Sequence, residues 1–308
     1  MSDAPGIRHE FVRANGLRFH VATCGEGDRL ALCLHGFPEC WFSWRHQLPF
    51  LAQLGYRAWA PDLRGYGDSD RPLLREDYTI ERLLDDVAGL IDAAGARSTM
   101  LLAHDWGAVI AWCFAMRRVR PLERLVIMNV PHPGVMDQVI RSWRQLARSW
   151  YVLFFQIPRL PEALLRARQC RAIGDAFRNM AIDQRRFGDE VLHVYRDQAA
   201  RPGALTAMLN YYRAYVRGGG AARQRALGYP IIDVPTLMIW GEHDTALGKE
   251  TTYGTDRFVR QLTLHYLPNV SHWVQQEAPE AVNALIQSWL GKPPDLLAAP
   301  VDRAQPAP

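Results

Sequence analysis

Lysine is almost missing from this chain: of 36 basic residues only Lys249 and Lys292 are lysines, and the rest are arginine. Long apolar runs are missing as well. Uncharged stretches such as Trp150 to Pro158 and Val109 to Met116 fall well short of the roughly 18 apolar residues that a bilayer-crossing helix needs, so no integral membrane segment is expected. Met1 to Glu10 carries Asp3, Arg8 and Glu10 and has no apolar run before a small-residue cleavage site. A secretory signal is thereby excluded, and the cytoplasm is the expected compartment. Cys24, Cys33, Cys40, Cys113 and Cys170 are odd in number with no C-x-x-C spacing, which argues for reduced thiols and against a disulfide framework or a zinc site. Neither a metal-ligand cluster nor a Gly-rich phosphate loop is visible, so no metal and no organic cofactor are expected. An aromatic-basic nucleic-acid motif is absent too, which removes nucleic acid as a partner.

What is present is the composition of a globular protein, 48% hydrophobic over 308 residues, enough for a sizeable core. Charge is uneven along it. Arg141 to Gly228 holds 16 arginines against 6 acids, while the whole chain is only +4, so the remainder is acidic. Such a basic segment fits an anionic partner or a membrane surface, or, more simply, arginines on solvated helix faces.

Phe11 to Ala14 and Leu17 to Thr23 flank Asn15-Gly16, a dipeptide suited to a tight hairpin turn. Short apolar runs then read as strands: Leu30 to Leu34, Tyr56 to Ala60, Thr99 to Ala103, Leu125 to Met128, Thr236 to Trp240 and Leu262 to Tyr266. Helical patterns separate them. The clearest spans Ile80 to Ala94, with Thr79 as N-cap and Leu83, Leu84, Val87, Leu90 and Ile91 at three-four spacing. This alternation predicts an α/β fold with a largely parallel sheet. It fails between Pro133 and Gly228, where about a hundred residues carry helical periodicity only. The expected organisation is a core of residues 1–132 and 229–290, a helical cap at 133–228, and a disordered Pro/Ala-rich tail at 291–308.

The chemistry gathers at strand ends. Thr99 to Ala108 is a strand running into a helix, with Ala103 and Gly107 two residues either side of Asp105. A turn that tight requires small flanking side chains, and it lifts the central residue above the sheet edge. No Gly-x-Ser-x-Gly occurs, so Ser-dependent esterases and lipases lack their nucleophile here. An ionised aspartate needs no base to attack a saturated carbon, and the product is an alkyl ester. The plainer alternative is an aspartate that caps the following helix.

Hydrolysis of that ester requires a base, an acid to orient it, and donors for an oxyanion. His272 follows the last strand, and Asp244 lies in a turn beyond the strand Thr236 to Trp240, with Glu242 and His243 as their rivals. Nucleophile, acid, histidine is the chain order of the α/β-hydrolases. The backbone N–H groups of Phe37, in His35-Gly36-Phe37-Pro38-Glu39, and of Trp106 are the candidate oxyanion hole.

Together, His35 to Glu39, Trp41 to Arg45, Asp62 to Asp70, His104-Asp105-Trp106-Gly107 and Asn129 to Pro133 make the chain resemble the epoxide hydrolases of the α/β-hydrolase fold over about residues 8–290. The resemblance implies an aspartate nucleophile, a His-Asp pair that activates water, and two cap tyrosines that hydrogen-bond the epoxide oxygen. The family's first tyrosine lies shortly before a Phe-Gln-x-Pro stretch and its second in Asn-aromatic-Tyr-Arg, which carry over to Tyr151 and Tyr212. Tyr211, the neighbour most easily confused with Tyr212, would point about 100° away on a helix.

A dehalogenase would share the fold and the nucleophile. Haloalkane dehalogenases usually have a polar halide-binding residue where Phe37 stands, and the haloacid type has arginines where Trp106 and Val109 stand. A leaving halide also needs no proton, which would leave the tyrosines surplus. A catalytically silent binding protein has no need for a base, its orienter and two acids together. The expected substrate is a small hydrophobic epoxide, with water as second reactant. Phe37, Trp106, Phe155 and Trp273 are the expected pocket residues, and the segment Trp150 to Pro158 with Trp143, Phe177 and Tyr215 an apolar cap lining.

Overall fold

A computed structural model of the chain describes residues 6–140 and 143–291. The stretch 292–308, within the expected disordered tail, lies outside the described residues. Eight strands form one sheet: β1 (Arg8–Ala14), β2 (Leu17–Cys24), β3 (Arg29–Leu34), β4 (Arg57–Pro61), β5 (Ser98–His104), β6 (Arg124–Met128), β7 (Thr236–Gly241) and β8 (Leu262–Leu267). Their spatial order is β1-β2-β4-β3-β5-β6-β7-β8. β1 and β2 pair antiparallel around Asn15-Gly16, β2 is antiparallel to β4, and every later pair is parallel. Strands β3, β5, β6 and β7 are buried nearly end to end, as a parallel sheet covered on both faces requires.

Helices α1 (Gln47–Gln53), α2 (Ile80–Ala94) and α3 (Trp106–Met116) cover the sheet, and α11 (Val274–Glu277) and α12 (Pro279–Leu290) follow β8. α2 buries the predicted stripe of Leu83, Leu84, Val87, Leu90 and Ile91. Thr79 is its N-cap, but the threonine side chain makes no capping bond. Between β6 and β7 the described residues form helices without a sheet strand: α4 (Pro133–Val139), α5 (Trp143–Arg148), α6 (Trp150–Phe154), α7 (Leu160–Met180), α8 (Asp189–Ala200), α9 (Ala204–Arg217) and α10 (Gly220–Leu227). α7 is broken at Ala167–Cys170, where Arg168, Gln169 and Cys170 all have positive φ.

The arginine excess of this segment has a structural counterpart. Arg148 pairs with Glu250 at 2.8 Å, Arg186 with Glu280 at 2.9 Å, Arg223 with Glu81 at 3.2 Å, and Arg201 with Asp68. Each pair joins the basic helical insertion to the acidic remainder of the chain. Exposed pairs add little stability singly, but several around one rim favour one seating over others. A buried tie accompanies them: Glu277 accepts hydrogen bonds from the Ile182 and Asp183 N–H groups of the insertion at 2.9 and 2.8 Å, and from Ser271 N–H at 3.0 Å. The insertion is thus tied to the loop that carries His272.

The tight turn after β5 depends on its glycine. A Cβ on Gly107 would stand 2.3 Å from the Leu34 carbonyl oxygen, a backbone atom of the neighbouring strand that cannot swing aside. Gly107→Ala should therefore lower stability by about 1–3 kcal/mol, the usual cost of overpacking. Urea denaturation compared with the parent protein measures this; an unchanged midpoint would contradict so close an approach.

Candidate active site

Asp105 occupies the turn between β5 and α3 with φ 47° and ψ −123°. For a side chain with a Cβ, such a backbone costs about 1–3 kcal/mol and persists only where neighbours enforce it. The helix-capping alternative fails, because the Asp105 side chain makes no capping bond to α3. Instead its Oδ1 accepts the Phe37 backbone N–H at 2.6 Å. Gly36 makes this approach possible, since a Cβ there would lie 2.2 Å from the same oxygen. The second expected donor, Trp106 N–H, forms no hydrogen bond to Asp105 among the described residues. It opens α3, where first-turn N–H groups lack intrahelical acceptors.

His272 Nε2 stands 3.7 Å from Asp105 Oδ2, and His272 Nδ1 is 2.7 Å from Asp244 Oδ2. Burial alone would lower the histidine, but Asp244 and Asp105 on its two sides hold its pKa up to about 10. Asp244 is buried yet kept below the usual carboxylate range by His272 and by further donors. Asn129 donates from Nδ2 to its Oδ2 at 2.8 Å, and the N–H groups of Ala246 and Leu247 both reach its Oδ1 at 2.8 Å. The rivals take no part in this group: Glu242 pairs with Lys249, and His243 is exposed.

Two groups escaped the sequence reading. Asn129, at the end of β6 with φ 48°, also accepts Gly241 N–H at 2.9 Å and so fixes the Asp244 turn to its neighbouring strand. Glu39 is wholly buried behind the site. It accepts Gly36 N–H at 2.8 Å, His104 Nδ1–H at 2.8 Å, and the amides of Gln275 and Gln276 at 3.0 and 2.9 Å. His104 Nε2 lies 2.9 Å from the His272 carbonyl oxygen. The His104 ring thus bridges the Glu39 carboxylate and the backbone of His272. Burial would raise Glu39, but His104 beside it and these donors hold it down to about 2. An acid at a strand end, in His35 to Glu39, was the available signal for this network.

Across from Asp105 stand Tyr151 on α6 and Tyr212 on α9, their ring centroids 6.0 Å apart and nearly perpendicular. Both line, with Asp105 and Trp106, a cavity of about 430 Å³. Burial, and secondarily the Asp105 charge, raises both phenols above their ordinary range, so they are protonated at neutral pH. Neither hydroxyl has an acceptor among the described residues. Tyr211 faces elsewhere: its hydroxyl donates to the Arg64 carbonyl oxygen at 2.8 Å and its ring packs on Tyr66 and Tyr78.

The expected pocket residues fall in two groups. Trp106, Val152, Leu153 and Tyr215 line the cavity, but Phe37, Phe155 and Trp273 are not in its wall. Phe37 and Phe155 pack edge to face with Tyr212, while Trp273 lies on Phe177 at 4.3 Å between ring centroids. Phe155 and Trp273 are buried by this packing, while Phe37 is only half-buried. The side chain of Trp143 lies outside the described residues. No group of three or more His, Cys, Asp or Glu among the described residues could hold a metal ion, and none of the helices described is long and apolar enough to cross a membrane.

A half-buried acid at a strained strand-to-helix turn, a histidine held by a second acid, and a helical insertion above them define an α/β-hydrolase site. The comparisons agree. Residues 32–279 match the alpha/beta hydrolase fold family. The chain is 38% identical over 287 residues to the AB hydrolase superfamily protein YfhM of Bacillus subtilis, covering 92% of this chain and 98% of that one. It is 36% identical over 300 residues to epoxide hydrolase 4 of Homo sapiens, covering 94% and 81%. Among solved structures, an epoxide hydrolase of Bacillus megaterium in complex with an inhibitor superposes with TM-score 0.84 at 28% identity, over 92% of this chain and 100% of that one. The epoxide hydrolase VrEH1 of Vigna radiata gives 0.80 at 30% identity, over 94% and 99%. The chain belongs to the α/β-hydrolase family, among its epoxide hydrolases.

The raised His272 has a consequence for stability. A histidine whose folded pKa exceeds its ordinary 6.5 contributes stability that is complete below about pH 6.5 and is lost as pH rises through about 10. The gap in urea midpoint between the parent protein and His272→Gln should therefore narrow across that window. A constant gap would show that the folded protein does not hold the extra proton.

Proposed function

We propose that the protein hydrolyses epoxides to vicinal diols through a covalent ester on Asp105. The Asp105 carboxylate attacks one oxirane carbon as that carbon's bond to oxygen breaks, and Tyr151 and Tyr212 hydrogen-bond the departing oxygen and protonate it. An alkoxide is far more basic than a halide, so this reaction needs an acid opposite the nucleophile where dehalogenation would not. Raised phenols stay protonated until the alkoxide develops and are then close to it in basicity.

The ester cancels the charge on one of the two carboxylates that hold the His272 proton. Its pKa then falls, its proton returns to the phenolate left by ring opening, and the neutral ring, oriented by Asp244, takes a proton from water that adds to the Asp105 carbonyl carbon. The Phe37 and Trp106 N–H groups are the donors for the resulting oxyanion. Collapse releases the diol and restores both the aspartate and its ion pair. Residues 133–228 act as the cap that brings the two tyrosines over the nucleophile.

One observation carries this reading: Asp105, Tyr151 and Tyr212 share one cavity, while His272 stands 3.7 Å from the Asp105 carboxylate. The five cysteines, all free and buried, support a reducing compartment such as the cytoplasm.

Asp105→Asn should abolish diol formation, whereas His272→Gln should accumulate protein heavier by the mass of one epoxide. Intact-protein mass spectrometry after mixing with styrene oxide reads this directly, and absence of an adduct with an active parent protein would refute the base role. Separately, Tyr151→Phe combined with Tyr212→Phe should lower kcat/KM for epoxide by at least about 100-fold, within the range general acids contribute. Near-parental rates in the double variant would remove the tyrosines from the mechanism.

A further inference from the structure

The two oxygens of Asp105 are not equivalent. Oδ1 is engaged by Phe37 N–H, so a reacting carbon comes to Oδ2 with its oxygen toward Tyr151 and Tyr212. The cavity it meets there is walled by Trp106, Val130, Met136, Val216, Ala221 and Tyr229. Asp137 and Arg225 also border it, but they are paired at 2.6 Å and place no unmatched charge on a ligand.

Other aromatics near Asp105 and His272 are packed ring on ring. Phe37, Phe155 and Tyr212 form a triangle with centroids 5.1 to 5.5 Å apart. Beyond His272, Trp273 rests on Phe177, and Phe177 stacks on Tyr195 at 4.2 Å. Phe155, Trp273 and Phe177 are all at most 5% exposed. Space for a second substituent would have to come from separating close-packed aromatics, which is costly.

Building on the epoxide reading above, we infer that the substrates are epoxides bearing a single extended apolar arm, with Phe155 excluding trans epoxides that carry a bulky group on each carbon. The two arms of a trans epoxide leave the ring on opposite sides. The cavity receives one of them, and the packed rings of Phe155 and Trp273 oppose the other. At about 430 Å³ that cavity lies within the common range of roughly 300–1,000 Å³ for small-molecule sites, ample for one chain of several carbons.

Two isomers of equal composition test this: the terminal epoxide of octane and the trans epoxide between its fourth and fifth carbons. The terminal isomer should be hydrolysed with kcat/KM at least about 100-fold higher, since even one misplaced methylene is worth roughly 10–200-fold. Phe155→Ala should raise the mid-chain isomer by about tenfold. Ala221→Trp, which fills the cavity instead, should lower the terminal octane epoxide relative to propylene oxide by a similar factor.

Isomers hydrolysed at equal rates, or ratios that neither substitution moves, overturn the single-arm inference while diol release leaves epoxide hydrolysis standing. If propylene oxide and both octane epoxides yield no diol, epoxide hydrolysis fails and the single-arm inference falls with it.

Discussion

Everything in this site depends on an imidazolium held between two carboxylates in a place that water barely reaches. An isolated buried charge is expensive, and the histidine by itself would shed its proton. Asp244 and Asp105 reverse that preference. Asp244 can do so because three donors besides His272 satisfy its oxygens, so it stays an anion at nearly complete burial. Asp105 is different: one of its oxygens has a backbone donor and the other faces a cavity. The two acids are thus held differently, one enclosed by donors and one bordering a cavity, although both are aspartates at the end of a strand.

That arrangement is maintained by parts of the chain that never meet a ligand. The Glu39–His104 pair joins the loop carrying the Phe37 donor to the backbone of His272. Asn129 joins β6 to the Asp244 turn. Glu277 joins the helical insertion to the residue before His272. Each is a buried polar group with its hydrogen bonds made, and a network of this kind resists partial rearrangement because any freed member would be left unpaired in a low dielectric. The same logic accounts for the arginine-rich insertion, whose excess of positive charge is met by Glu250, Glu280, Asp68 and Glu81 across its seam with the sheet domain.

Much of the fold could be read along the chain. Strand boundaries from β3 onward came within a residue or two, because buried parallel strands are short apolar runs between turn signals. Asp105 was legible for a steric reason, since Ala103 and Gly107 are required by the turn itself. Asp244 and His272 were legible as residues at strand ends, but Glu242 and His243 could not be eliminated by spacing. What separated them was exposure and a neighbouring lysine, neither of which is local. Phe155 and Trp273 have the apolar character of a lining, and only the structure shows how their rings pack on their neighbours.

The sequence by itself determined the order of elements, the small residues around Asp105, and the chemical types available at each strand end, because these follow from local sterics and hydrophobic periodicity. Only the tertiary structure decided which acid serves which histidine nitrogen, that Asn129 and Glu39 hold the site from behind, and that Asp105, Tyr151 and Tyr212 border one cavity. Those outcomes depend on contacts between residues more than a hundred positions apart, such as Asn129 with Asp244 and Glu39 with Gln275. Such contacts leave no periodic trace in the chain.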